Sequence, residues 1–236
     1  MKQYAVEKYN QYILTTRPIA KSIVDEAAAH NIFLEEMSFI DTKPLLDVEV
    51  LEKIKASAAI STAVVFTSMN AVEAVAAQIK TRVNWRVYCM GNTTKKLVAE
   101  KLSSAEIAGI GDNAEALAQE VIDDEIKEVI FFCGNIRREE LPNKLRSNGV
   151  VVNEVVVYQT TEIQNKLDRV YEGILFFSPS AVVSFFKTNK VAQQTKLFAI
   201  GNTTKETIRK YADNKIIVAQ TADKNELAKQ AVKYFR

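Results

Sequence analysis

The pentapeptide Gly-Asn-Thr-Thr-Lys occurs twice in this 236-residue chain, at 91–95 and 201–205, a separation of 110 positions. The same separation lays VVFTSMNAV (64–72) over ILFFSPSAV (174–182), so that Phe66, Ser68, Ala71 and Val72 match Phe176, Ser178, Ala181 and Val182. It also lays Leu117-Ala118 over Leu227-Ala228. One spacing held over about 55 residues marks a duplicated unit rather than coincidence. A second relation runs at another spacing: FFCGNIRREELPNKLRSNGVVVNEVVV (131–157) follows the strand-helix-strand pattern of ILTTRPIAKSIVDEAAAHNIFLEEMSF (13–39), 118 positions earlier. The strand-helix-strand piece therefore opens one copy and closes the other. Insertion of one domain into another produces that order, which predicts lobe I from about 1–40 and 165–236 and lobe II from about 45–155.

Short apolar runs alternate with amphipathic segments throughout, the pattern of a parallel sheet with crossover helices. Strands are predicted near 12–16, 32–39, 63–67, 86–90, 105–109, 128–133, 150–158, 173–178, 196–200 and 215–219. Helices are predicted near 18–30, 70–80, 93–102, 113–123, 136–147, 180–189, 203–212 and 223–235. The fold class is α/β: two flavodoxin-like lobes, each a five-stranded parallel sheet with helices on both faces. The chain crosses between lobes at 38–48 and 156–166, in opposite directions and in extended segments, which predicts a two-strand antiparallel hinge. A cleft between hinged lobes is the default ligand site.

Composition narrows the function. With 47% hydrophobic residues and 31 cationic against 29 anionic side chains, the chain is neither a disordered tail, a collagen-like fibre nor a polybasic nucleic-acid binder. The longest apolar runs, such as Val129–Cys133 and Ile174–Phe177, are too short to span a bilayer. The opening MKQYAVEKYN has no apolar leader region, so the chain is expected in the cytoplasm, with neither membrane nor nucleic acid as partner. One histidine, His30, and two cysteines, Cys89 and Cys133, each in an apolar strand run, leave no zinc set and no histidine-activated nucleophile. No turn carries the glycine spacing that cradles a dinucleotide or triphosphate, and no cofactor is expected.

Parallel sheets bind ligands at the carboxyl ends of their strands, where helix N-termini converge. The candidate binding residues are therefore those of the strand-to-helix turns: Thr16 and Arg17; Thr67, Ser68 and Asn70; Gly91, Thr93 and Thr94; Asn135 and Arg137; Ser178 and Ser180; Gly201, Thr203 and Thr204. Several of these turns also read as helix caps. Ser178 precedes Pro179, and Asp112/Glu115, Thr203/Glu206 and Asp223/Glu226 have capping-box spacing. A capping hydroxyl beside free backbone N–H groups is also a seat for a carboxylate or phosphate, so the two readings coexist. Arg17, Arg137 and Arg138 are predicted in first helical turns, where the helix dipole disfavours a cation; an anionic partner or plain surface solubility accounts for them. His30, at the end of the first helix, complements the dipole there. Tyr158 closes the VVNEVVVY strand, either as an aromatic packed over the hinge or as a site residue.

Taken in order, ILTTRP (13–18), VVFTSMNAV (64–72), VYCMGNTTKKLVAEKL (87–102), FFCGNIRREELPNKLRSNGVVVNEVVVYQT (131–160), ILFFSPSAV (174–182) and FAIGNTTKETI (198–208) resemble the uroporphyrinogen-III synthase family. The resemblance covers the chain from Tyr12 onward; each motif alone is degenerate, but six in order are specific. It implies a monomeric, cofactor-free lyase acting on hydroxymethylbilane, a linear tetrapyrrole with eight carboxylates, and a transient contact with the synthase that makes this bilane. In the implied reaction the ring A hydroxyl departs to leave an azafulvenium. Ring D attacks through its substituted carbon, and the spiro intermediate fragments and recloses with that ring inverted. The resemblance assigns Tyr158, in the VY-x-T motif, to assist departure of the hydroxyl. It aligns Thr94 and Thr204 with the family's G-x-x-T threonines, and Thr67, Ser68, Ser178 and Ser180 with its cleft-lining hydroxyls. The chain departs from the pattern at Met69, where proline is commoner, and around Gly134 to Arg138. The competing reading is a bilobed module that binds a small anionic ligand without chemistry.

Overall fold

Val, Ile and Phe alternate along the strands so that successive side chains enter opposite cores, the signature of a sheet covered on both faces. The computed structural model describes residues 9–236; the first eight residues, on which the reading of a missing leader largely rests, lie outside the described residues. In chain order the elements are β1 (Gln11–Thr15), α1 (Lys21–Ala29), β2 (Ile32–Glu36), β3 (Ile40–Pro44), α2 (Val48–Ala58), β4 (Thr62–Phe66), α3 (Met69–Ala76), β5 (Trp85–Met90), α4 (Gly91–Lys101) and β6 (Glu106–Gly111). There follow α5 (Ala114–Asp123), β7 (Glu128–Gly134), α6 (Glu140–Ser147), β8 (Val151–Glu162), β9 (Gly173–Phe176), α7 (Pro179–Thr188), β10 (Lys196–Ala199), α8 (Asn202–Arg209), β11 (Ile216–Val218) and α9 (Lys224–Phe235). The chain divides into one unit formed by the residues up to Asp41 with Thr161–Arg236 and a second formed by Thr42–Thr160.

In the first unit five parallel strands stand in the order β2-β1-β9-β10-β11, which in chain order is the flavodoxin-like 2-1-3-4-5. Ile13, Leu175 and Phe198 pack beneath α1 and α9, against Ile23, Ala27, Leu227 and Val232. Leu14, Ile174, Phe176 and Leu197 point the other way, onto Val182, Phe185 and Ile208 of α7 and α8. In the second unit the order β8-β7-β4-β5-β6 is the same layout, with β7 and β8 in the places of β1 and β2. Val64 and Phe66 face α2, α3 and α4, while Ala63 and Val65 face α5 and α6. The topological switch points, where crossovers leave in opposite directions, therefore fall between β1 and β9 and between β7 and β4.

The second sheet has six strands rather than the five expected, because β3 joins β8 at its edge. As residue numbers rise along the 39–45 segment, their partners on β8 and beyond fall from Ile163 through Thr161 and Thr160 to Val157, so this pair is antiparallel. The helix α2 is absent from the sequence reading. Asp47 caps it, accepting a hydrogen bond from Val50 N at 3.0 Å, and Trp85 Nε1 donates to Ser57 O at 2.9 Å to hold its last turn against β5.

Two of the expected caps are relocated. Asn113, not Asp112, accepts from Ala116 N at 2.9 Å, since α5 starts one residue later than that box requires. Gly201 precedes α8 without any side-chain cap, so Thr203 lies inside the helix and the Thr203/Glu206 box does not form. Asp223 does cap α9, accepting from Asn225 N and Glu226 N at 2.8 and 3.0 Å, while Glu226 turns to Lys229 at 2.7 Å instead of closing a box. Ser178 caps α7 with Pro179 at the first helical position, and His30 ends α1.

Gly111 and Gly201 differ sharply in what a methyl group would meet. A Cβ at Gly111 falls 2.2 Å from Leu117 N, in the backbone of α5, whereas one at Gly201 meets nothing within 4 Å. Gly111→Ala is expected to destabilise the second unit by about 1–3 kcal/mol or more, and Gly201→Ala to leave folding unchanged. Urea unfolding of the two variants checks this, and equal stabilities would contradict it.

Candidate active site

Three residues meet at the switch point between β7 and β4. Gly134 ends β7, Ser68 follows β4, and Tyr158 lies on β8, on the far flank of β7. Ser68 Oγ donates to the Tyr158 phenolic oxygen at 3.0 Å. The phenol reaches it by lying across Gly134, where an added Cβ would stand 2.4 Å from Tyr158 Cζ and 2.8 Å from its oxygen. No other residue leaves that space. A register shift between Cys133 and Gly134 sets Tyr158 opposite the glycine.

Ser68 is also the N-cap of α3, its Oγ accepting from Ala71 N at 3.2 Å. A backbone amide at the positive end of a helix thus donates to Ser68, and Ser68 donates to the phenol. Because the phenol's oxygen accepts in this chain, its own O–H remains available to donate to a ligand. Burial pushes the Tyr158 pKa above its ordinary value of 10.0, while the Ser68 bond works the other way. Tyr158 is therefore a neutral hydrogen-bond donor throughout the physiological range. Thr67 and Asn70 are half-buried on either side of Ser68 and Met69.

The Gly-Asn-Thr-Thr-Lys turns sit at the carboxyl ends of β5 and β10. Gly91 begins α4 with φ +70°, the left-handed region that favours glycine, and neither α4 nor α8 has a side-chain cap. Thr93 is half-buried and Thr203 exposed in these first turns, at the end of a helix whose dipole suits an anion. At the end of β9, Ser178 and Ser180 share a hydrogen bond of 3.1 Å, and Ser178 accepts from Ala181 N at 3.2 Å.

Several expected site residues have other work. Thr16 is buried and donates to Leu175 O at 2.8 Å, bridging the β1/β9 switch point instead of facing a ligand. Thr94 and Thr204 are buried on their helices, as are Val98 and Ile208. Asn135 spends its amide on the backbone of Thr160, with Oδ1 accepting at 2.7 Å and Nδ2 donating at 3.2 Å. Arg137 is not in a first helical turn, because α6 starts at Glu140. It pairs with Glu154 and, at 2.6 Å, with Glu139, which neutralises it as an anion ligand. Arg138 also precedes α6, and Arg17 lies exposed in the turn before α1. A cavity of about 190 Å³ lined by Lys166, Arg169, Tyr171 and Thr195 sits at the amino ends of β9 and β10, the opposite pole of that sheet, and holds none of the candidates.

Gly134 and Glu154 were not among the expected residues. Gly134 stands where the sister repeat has Thr16, and Glu154 is a carboxylate within an apolar strand run; both signals are visible in the sequence.

The uroporphyrinogen-III synthase HemD family model matches residues 26–229. A uroporphyrinogen-III synthase of Saccharomyces cerevisiae is 36% identical over 95 residues, 35% of this chain, and the match spans only about a third, 34%, of the yeast protein. Among solved structures, a mutant uroporphyrinogen III synthase from Thermus thermophilus superposes with TM-score 0.69 at 11% identity, covering 95% of this chain and 98% of that one. The uroporphyrinogen-III synthetase of Helicobacter pylori gives TM-score 0.63 at 16% identity, covering 95% and 99%. At such identities the structures establish a shared fold.

The Arg137 bond, reinforced by Arg146 at 2.5 Å, holds the Glu154 carboxyl below the ordinary carboxylate range. A depressed carboxylate stabilises the fold above its unfolded pKa, and that contribution is lost as pH falls through the native value. Arg137→Ala is expected to cost about 1–3 kcal/mol at neutral pH, with the deficit shrinking as the medium becomes more acidic than the carboxylate range. Urea titrations followed by the fluorescence of Trp85, the sole tryptophan and part of the second unit, measure it. A deficit independent of pH would contradict the assignment.

Proposed function

Because the chain belongs to the uroporphyrinogen-III synthase HemD family, we propose that it cyclises hydroxymethylbilane to uroporphyrinogen III, with inversion of ring D and loss of water. The observation that carries this reading is the half-buried, neutral phenol of Tyr158, held by Ser68 with its own O–H left to give. The ring A hydroxyl is a poor leaving group. A donor at its oxygen lowers the barrier to departure as water, and Tyr158 is that donor. A phenol whose pKa lies above 10 holds its proton until the C–O bond is breaking and the departing oxygen has become basic, and gives it up then, so that the group leaves as water.

Substrate binding falls to the turns that remain open. The helix starts of α4 and α8, which have no side-chain cap, and the hydroxyls of Thr67, Ser178, Ser180 and Thr203 are candidate donors for carboxylates, with Arg17 as an exposed cation. A bilane also closes unaided to the symmetric isomer, so holding one conformer is part of catalysis. Steering the product 100:1 requires only about 2.7 kcal/mol between competing transition states. The reading carries with it a cytoplasmic monomer that needs no cofactor and takes its bilane through transient contact with the synthase that makes it. No described helix is long and apolar enough to cross a membrane.

Hydroxymethylbilane generated in place by its synthase, incubated with the protein, oxidised and separated by chromatography, is expected to give the III isomer, against the I isomer without protein. Unchanged I isomer from folded protein would overturn the reading. Tyr158→Phe is expected to slow turnover about 10–100-fold without abolishing it; full rate and full isomer selectivity in this variant would remove Tyr158 from the mechanism.

A further inference from the structure

We infer that Asn135, together with Gly134, is a positioning residue for Tyr158 and not a substrate ligand. The inference deepens the synthase reading and rests on it. β7 ends at Gly134, yet β8 continues to Glu162, so the strand carrying Tyr158 loses its inner neighbour near the point where the phenol must be placed. Asn135 extends the ladder. Its backbone N–H donates to Tyr158 O at 3.2 Å, and its side-chain amide then takes the place of a peptide unit, accepting from Thr160 N at 2.7 Å and donating to Thr160 O at 3.2 Å. Three hydrogen bonds from one residue thus bracket Tyr158 at its own carbonyl and two residues on.

The other flank of β8 is tied as well. Thr42 and Thr160 hydroxyls are 3.3 Å apart, and Leu45 N donates to Val157 O at 2.9 Å. With both edges of the 157–160 segment held, the ring direction is set by the backbone, and Gly134 supplies the space it enters. Asparagine suits this role because its amide carries a donor and an acceptor at the spacing of a peptide group. Alanine has neither, and aspartate keeps only the acceptor.

A double-mutant cycle tests the inference. Asn135→Ala, Tyr158→Phe and the double variant are assayed for kcat, KM and the ratio of III to I isomer, with folding followed by Trp85 fluorescence. Asn135→Ala is expected to lower kcat about tenfold and leave KM within about twofold, and the double variant to be no slower than the slower single one, because both changes act through one phenol. Losses that multiply in the double variant, or a raised KM with unchanged kcat, would make Asn135 an independent substrate contact and overturn the inference. Should Asn135→Ala fail to fold, Gly134→Ala, which displaces the ring without touching the amide, is expected to match Tyr158→Phe and to show the same non-additivity; full activity in Gly134→Ala overturns the positioning account. Wild-type protein that yields no III isomer overturns the synthase reading itself, an outcome separate from either.

Discussion

Where β7 ends, Gly134 presents no side chain, and a phenol from one flank meets a serine hydroxyl from the other across the space. A Cβ there would overlap the ring at 2.4 Å, so the hydrogen bond between Ser68 and Tyr158 exists only because of that hydrogen-for-methyl difference. The rest of the site is arranged around it. The cap of α3 orients Ser68, the register shift at Cys133/Gly134 brings Tyr158 into line, and the second core beneath β4 and β7 keeps both strand ends in place.

The two units fill equivalent places in a duplicated frame differently. By the 118-residue spacing Gly134 answers to Thr16, and Tyr158 to Ile40. In the first unit the switch point is closed by Thr16, whose buried hydroxyl bonds Leu175 O. In the second the same place is vacated and filled from the neighbouring strand by an ionisable ring. The strand layout is shared, and the two copies differ at this place in which side chain fills it.

The parallel sheets, their helices and their permuted layout were legible because the apolar period and the two repeat spacings act over many residues. The misses have local causes. Reading 38–48 as one extended crossing absorbs Asp47, the residue that starts α2, and so hides an amphipathic helix with a clear cap. The helices of the two repeated turns begin earlier than the apolar period suggests, at Gly91 and Asn202, so Thr94 and Thr204 fall within them at buried positions. Arg137 is an unpaired cation in sequence because its partner Glu154 lies on the next strand, a distance that no local spacing encodes. Tyr158 is singled out in the sequence by the motif around it, whereas its contact with Ser68 across Gly134 becomes visible only in the fold.

The hydrogen-bonding role proposed for Tyr158 requires its phenol to stay neutral where it lies across Gly134. A spectrophotometric pH titration of the wild-type protein minus that of Tyr158→Phe isolates the absorbance of this one phenolate. The expected result is a difference whose midpoint lies above pH 10, the ordinary tyrosine value from which burial raises it. A phenolate forming near neutral pH would rule that role out, since an ionised phenol has no O–H to donate.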